Sequence, residues 1–216
     1  MGVALAWTVR GMGDSLPLRP ASVDRAETMN AADAPLAHLD EPALVEACLA
    51  NRPGAFDLIV ERHRRPVYQL CYRFVGNHED ASDLSQDVFL RAYRGLKNFR
   101  GQSSLATWLY RIGVNVCLNR VSARTPAVEA IDAREFVDAS AESPSDRLLR
   151  AERGARVRAA IAQLPPKQRA ALVLRTYHEL SHQEIADVLG SSVGAVKANF
   201  FHALGSLKRL LDDEDA

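Results

Sequence analysis

Apolar positions recur at helical spacing along most of this chain, and no stretch alternates as a half-buried strand would. The first helical run opens near Pro42, a residue accepted in a helix's first turn. After Pro53-Gly54, a second run places Phe56, Ile59, Val60, Val67, Leu70, Cys71 and Phe74 on one stripe. Pro66 falls inside it and is expected to kink the helix or end one segment there. Gly76-Asn77 closes the run. A third helix is predicted from about Glu79 to Leu96. On it Asp80, Asp83, Asp87, Arg91 and Arg94 share one face, and Val88, Phe89, Ala92, Tyr93 and Leu96 share the other. The loop Gly101-Gln102-Ser103-Ser104 leads into a fourth helix that reaches about Val121, with Ser103 or Ser104 as its N-cap. Further helices are predicted at Asp146–Leu164, at Lys167–His178 after the Pro165-Pro166 break, at Ser181–Leu189 and at Ser192–Leu211.

These elements predict an all-α fold of two small helical bundles, residues 40–121 and 146–211. The Ala-rich, acidic segment 122–145 between them has Pro126 and Pro144 and no clean apolar stripe, so it reads as a flexible linker, with room for a short helix near Glu135. Residues 1–39, rich in Ala, Pro and Asp, read as a disordered extension, and 212–216 as an acidic tail. Met12 and Met29 leave open a later start.

Charge changes this picture more than composition does. The 216 residues carry no formal net charge, which at first argues against a nucleic-acid partner. The charge is unevenly placed, however. Residues 146–211 hold 11 Lys/Arg against 5 Asp/Glu, a net +6, whereas the linker is −3 and the tail −4. Local charge sets the field that DNA meets. The three cysteines (Cys48, Cys71, Cys117) lie far apart in apolar helical contexts, as buried thiols of a reducing cytosol do. No Cys/His spacing suggests a metal site, and no cofactor is expected. His178 and His182 are four apart, but a turn is expected between them. No apolar run approaches a membrane span, and no basic region precedes the mildly apolar N-terminus as in a signal peptide.

The stretch from Ser181 to Leu211 reads as helix-turn-helix. Ser181 and Glu184 have capping-box spacing, Gly190 ends the first helix, and Ser191 or Ser192 caps the next. On the second helix Val193, Val196, Phe200, Ala203, Leu204, Leu207 and Leu211 form the inner stripe. Ala195, Ala198, His202 and Arg209 face away, with Lys197 and Asn199 on the flanks, so the outer half is small and polar enough for a major groove. Lys197 suits phosphate or guanine, and Asn199 or His202 a base edge. A helical hairpin inside a core would carry the same apolar stripe, but not the basic surround and doubly capped turn.

DLSQDVFLRAYRGLKNFRG followed by TWLYRIGVNVCLNR resembles the second conserved region of bacterial sigma factors. LPPKQRAALVLRTYHELSHQEIADVLGSSVGAVKANFFHALGSLK resembles their fourth. The short acidic linker, with no third domain, resembles the extracytoplasmic-function class. The resemblance spans about Asp40–Leu211 and implies a non-catalytic, cytoplasmic initiation factor. Such a factor binds core RNA polymerase at the β′ clamp coiled coil and β flap, and directs it to promoter DNA. It implies polymerase contacts at Asp83, Gln86 and Asp87, with Asp80, Arg91 and Arg94 as neighbours. It implies that the −10 element is read as single strand by Phe99, Arg100, Ser103, Ser104, Thr107, Trp108, Arg111, Asn115 and Asn119. It implies −35 contacts at Ser192, Ala195, Lys197, Ala198, Asn199 and His202. An anti-sigma factor is a plausible further partner; membrane insertion is not expected.

Elementary chemistry agrees with these assignments. A flipped base needs hydrogen-bond partners beside an apolar or aromatic wall. Asn115 and Asn119, four apart, offer donor and acceptor. Arg100, Arg111 and Arg120 suit phosphates. Trp108 fits equally a wall for DNA or a core support for the loop. Ala198, Leu204 and His202 stand where the family often has polar or basic residues, which shifts −35 readout toward shape and phosphate contacts. Gln102 stands where an acidic residue is frequent, so the −10 preference does not transfer. The rival reading is a helix-turn-helix regulator that is no polymerase subunit. It leaves the Asp83–Arg94 face and the Trp108–Asn119 helix without a role. An enzyme would need a phosphate-cradling glycine loop or a metal motif, and the sequence has neither.

Overall fold

The computed structural model describes residues 35–123 and 144–212. The expectations for residues 1–34, for most of the linker (124–143, with Glu135) and for the end of the acidic tail (213–216) lie outside the described residues. Helix α1 (Glu41–Leu49) starts where the Asp40 carboxylate accepts a hydrogen bond from the Ala43 amide, 3.0 Å away. Residues 35–39, placed by the sequence reading in a disordered extension, are structured. Leu36–His38 form a 3₁₀ turn, Leu39 is buried, and Arg62 donates to the Ala37 carbonyl at 3.0 Å.

Helix α2 (Ala55–Val75) is bracketed by Gly54 and Gly76, both with left-handed backbone (φ +78° and +77°), which glycine alone adopts without a Cβ penalty. It runs unbroken through Pro66, so the expected segment end is not found there. Helix α3 (His78–Gly95) ends in a 3₁₀ turn, Leu96–Asn98, before the loop to α4 (Leu105–Ala123). Helices α2, α3 and α4 pack on one another around Val67, Leu70, Phe74, Val88 and Val114. Gly113 of α4 sits so close to α2 that a Cβ there would lie 2.7 Å from a Leu70 methyl.

The second half comprises α5 (Pro144–Gln163), α6 (Pro166–Thr176), α7 (His182–Leu189) and α8 (Val193–Asp212). Ile161, Leu164, Val173, Leu174, Ile185, Val188, Val196 and Ala203 fill its core. Two apolar residues leave their predicted faces. Tyr93 is 64% exposed and lays its ring edge-on to Phe56 at 5.0 Å, and Leu204 is exposed rather than part of the inner stripe.

The halves also touch each other, which no local pattern could announce. The apolar core is continuous between them, α4 packs along α7, and α2 touches α5 and α6. His178 lies at this junction, its ring 4.5 Å from that of Tyr110. Burial and the nearby Arg73 cation lower its pKa to about 4, so the imidazole is neutral near pH 7. Helix α6 ends at Thr176, so His178 lies in the bend after it rather than at its end, His182 opens α7, and the described residues contain no cluster that could hold a metal ion. No helix among the described residues is long and apolar enough to cross a membrane.

Candidate nucleic-acid and protein interface

The N-terminus of α3 corrects one expectation. The Asn77 side chain accepts from the Asp80 amide at 2.8 Å, and its Nδ2 donates to Asp80 Oδ2 at 2.7 Å. Arg120 Nη2 donates to Asp80 Oδ1 at 2.5 Å. Asp80 is only 6% exposed. Its carboxylate is held inward, tying the start of α3 to the end of α4, and it does not join the outer face. Arg120, expected on phosphate, serves this tie.

The remaining α3 positions form one outward stripe. Asp83, Gln86, Arg91 and Arg94 are exposed and Asp87 is half-buried. Arg91 grips Asp87 from one helical turn on, with Nε 3.1 and 3.0 Å from the two carboxylate oxygens and Nη2 2.9 Å from Oδ2. Among these charges stands Leu90, 56% exposed. Sequence reasoning passed over it, although it falls four residues after Gln86 and four before Arg94 and so shares their face. A leucine ringed by charged groups suits a protein contact better than open solvent.

The loop before α4 is shaped by Gly101, whose φ of +67° lies in the left-handed region. Ser104 is the N-cap. Its Oγ accepts from the Thr107 amide at 3.0 Å and lies 2.8 Å from Thr107 Oγ1. Thr107 is 3% exposed, so its hydroxyl serves the cap and is not available to DNA, contrary to expectation. Ser103 is half-buried and Arg100 exposed. Phe99 and Trp108 pack with ring centroids 5.3 Å apart, and Trp108 also covers Gly95. Half-buried, Trp108 supports the loop with one part of its indole and lines a pocket with another.

That pocket has a volume of about 350 Å³ and is lined by Arg91, Gly95, Asn98, Trp108, Ile112 and Asn115. It therefore joins the α3 stripe to the α4 face, where Arg111, Asn115 and Asn119 are exposed at four-residue intervals. Asn98 was missed because a lone asparagine in a 3₁₀ turn carries no sequence signal. The set supplies an aromatic wall, two side-chain amides and a guanidinium.

The helix-turn-helix is capped as the sequence predicted. Glu184 accepts from the Ser181 amide at 2.8 Å while Ser181 Oγ accepts from the Glu184 amide at 3.2 Å. Those bonds from Ser181 hold the Glu184 carboxyl below its ordinary pKa. Gly190 closes α7 at φ +57°, and Ser192 Oγ accepts from the Ala195 amide at 3.2 Å. Ser192, Ala195, Lys197, Ala198 and His202 are exposed, and Asn199 is half-buried. Phe201 joins them at 73% exposure, its ring 6.0 Å from that of His202. The Phe200-Phe201 pair could have announced it: at 100° per residue, only one of two neighbours reaches the core.

A capped helix-turn-helix beside a second bundle with an amide-and-aromatic pocket defines an all-α transcription protein. Known proteins narrow the class. The family described as Sigma-70 region 2 matches residues 59–126, and Sigma-70, region 4 matches residues 154–207. The chain is 39% identical over 177 residues to the RNA polymerase sigma-H factor of Pseudomonas aeruginosa, covering 78% of this chain and 92% of that one. It is 37% identical over 174 residues to the ECF RNA polymerase sigma-E factor of Escherichia coli (strain K12), covering 76% and 91%. The solved structure of CnrH in complex with the cytosolic domain of CnrY superposes with a TM-score of 0.60 at 26% identity, over 79% of this chain and 96% of that one. The Bartonella quintana sigma factor RpoE, solved with the anti-sigma factor NepR, has the same fold (TM-score 0.58, 20% identity, 74% and 98% covered). The chain belongs to the extracytoplasmic-function sigma factor family and is an alternative sigma factor that directs transcription initiation.

Proposed function

We propose that residues 40–121 bind core RNA polymerase and the −10 element, that 146–211 bind the −35 element, and that 122–145 join them. The polymerase contact is Asp83, Gln86, Asp87, Leu90, Arg91 and Arg94. Arg100, Arg111, Trp108, Asn98, Asn115 and Asn119 hold the opened strand, and Lys197, Ala198, Asn199, Phe201 and His202 enter the −35 major groove. The protein acts in the cytoplasm and is non-catalytic, its work being binding and strand separation. An anti-sigma factor, as solved with the Bartonella quintana sigma factor RpoE, is its natural antagonist.

The observation that carries this reading is the pocket shared by α3 and α4. An unstacked base needs an apolar wall and hydrogen-bonding edges. Trp108 and Ile112 supply the first, Asn98 and Asn115 the second, and the exposed Arg111, one turn from Asn115, suits the backbone phosphates. A helix that fixes the enzyme thereby also fixes where the strands part.

Asn115→Ala is expected to slow open-complex formation by about 2 kcal/mol, roughly thirtyfold, by leaving a base edge unpaired. Polymerase affinity should stay unchanged. Permanganate footprinting beside a binding titration measures both, and an equal loss in each would remove Asn115 from the pocket role. Lys197→Ala is expected to weaken −35 duplex binding and to reduce the slope of log K against log salt by about one. Fluorescence anisotropy at several salt concentrations reads the slope; an unaltered slope would mean that Lys197 touches no phosphate.

A further inference from the structure

Among the described residues Phe201 is the most exposed large apolar side chain, at 73%. The spacing of α8 explains why. Val196, Phe200, Ala203 and Leu207 turn toward the core. At about 100° per residue, Phe201 points away from that stripe, on the line of Gly194, Ala198 and Gly205. Those three are exposed and none reaches beyond a methyl group, so one ring stands out from an otherwise flat face. A Cβ at Gly205 would meet nothing within 4 Å, so the space beside the ring is open to a large partner. His202 flanks the ring edge-on, with centroids 6.0 Å apart.

Charge says what kind of partner this is. Helix α8 carries Lys197, Lys208 and Arg209, and its single acid, Asp212, stands at its last position. That balance suits a polyanion. The ring is also continuous with Lys197, Ala198 and His202, the face placed above in the −35 groove. Phe201 lies about 12 Å along the axis from the start of α8 at Val193, at 1.5 Å per residue. A major groove about 12 Å wide therefore still covers it. Leu204, the other exposed apolar residue of α8, lies about 60° round the helix from Phe201, back toward the buried stripe, and so faces the groove wall rather than the bases.

We infer that Phe201 reads the C5-methyl group of one pyrimidine in the −35 element. The inference rests on the functional reading above and adds a base contact to it. A phenyl ring has no donor or acceptor. Pressed on the polar edge of guanine, adenine or cytosine, it strips water from ring nitrogen, carbonyl or amino groups and returns no hydrogen bond, which is unfavourable. The major groove offers one apolar group, the C5-methyl of thymine. There the ring and the methyl leave water together. The small residues at 194, 198 and 205 let the helix backbone come close enough for the ring to reach it. A cytosine methylated at C5 carries the same group at the same place. Such a base gains the same contact, so the −35 element is read for base methylation as well as for sequence.

Promoter binding by the full chain joined to core polymerase tests this, on a promoter found by its transcripts. Each −35 thymine, on either strand, is replaced in turn by deoxyuridine, which lacks only the methyl group. At one position the parent should bind about fourfold more weakly, the effect of one buried methyl. Phe201→Ala should bind the thymine promoter more weakly by at least that factor and should no longer distinguish thymine from deoxyuridine. Leu204→Ala should keep the distinction. At the same position cytosine and 5-methylcytosine should differ by the same factor for the parent and not for F201A. A methyl effect in the deoxyuridine arm alone assigns the ligand to thymine, and one in the 5-methylcytosine arm alone to modified DNA. No methyl effect at any position in either arm would overturn the inference, as would one that F201A leaves intact. Weaker binding of F201A to core polymerase beside an unchanged methyl effect would make Phe201 a protein contact and overturn it too. A parent chain that joins polymerase but selects no promoter would overturn the functional reading, and the inference with it; a promoter bound without any methyl effect sinks the inference alone.

Discussion

Replacing Asp83 and Asp87 together by arginine is expected to weaken binding to core RNA polymerase by about 3 kcal/mol, roughly a hundredfold. Two charges on the outward stripe of α3 change sign, and like charges set against a partner arranged for the native signs cost several kcal/mol in specific interfaces. A second loss follows within the helix. Arg91 now holds the Asp87 carboxylate through Nε and Nη2, and with arginine at position 87 it faces a like charge one turn away. Leu90 stays in place between them, so the apolar part of the contact survives and the residual binding should depend less on salt. The loss should appear chiefly in the association rate at low salt, as for exposed charged groups elsewhere. Binding of the same double variant to a −35 duplex should match the parent chain. Surface plasmon resonance against core polymerase at two ionic strengths, beside anisotropy with the duplex, separates these terms. A fall in both affinities together would mean that the substitutions unfold the chain.

The second large effect concerns stability. Gly113→Leu is expected to destabilise the chain by about 3 kcal/mol. A Cβ at Gly113 would already stand 2.7 Å from Leu70 Cδ2 and 3.7 Å from Val88 Cγ2. Leu70 is fully buried, and a close-packed core leaves such a side chain little room to turn. Alanine there is a milder case, because its better helix propensity, about 1 kcal/mol over glycine, offsets much of the crowding. Leucine adds three more carbons to the same gap and must drive α4 away from α2. Urea unfolding followed at 222 nm should show a lower midpoint at unchanged slope for leucine and a small change for alanine. A leucine variant as stable as the parent would mean that α2 and α4 are not in close contact at this point.

Gly113 also marks a limit of reading by pattern. The α4 stripe was visible as a helix, but the glycine in it gave no hint that a second helix comes within a methyl's width. Helix identity followed from spacing, and the sequence offered the caps at Ser104, Ser181 and Ser192, because each places an acceptor beside an orphan amide; the caps at Asp40 and Asn77 emerged only in the structure. What pattern could not supply was tertiary. Asp80 fits the α3 charge stripe by angle, yet Arg120, forty positions away, draws it inward. Thr107 reads as an outward hydroxyl until the Ser104 cap engages it. Leu90, Tyr93 and Phe201 are apolar residues left outside. A hydropathy argument assigns such residues inward by default, and a binding surface is where that default fails. The contact between the halves lay furthest out of reach, since Arg169 and Phe74 meet across ninety-five positions.

Run-off transcription with purified core polymerase lacking any other sigma factor tests the central claim most directly. Mapped across genomic fragments, the full chain should yield discrete transcripts from a small set of start sites. Core polymerase alone should yield none of them, and the Asp83→Arg, Asp87→Arg chain should yield them only at roughly a hundredfold higher concentration. Binding of the parent chain to core polymerase without any start-site-specific transcript would contradict the account, and so would transcripts that the double variant leaves undiminished.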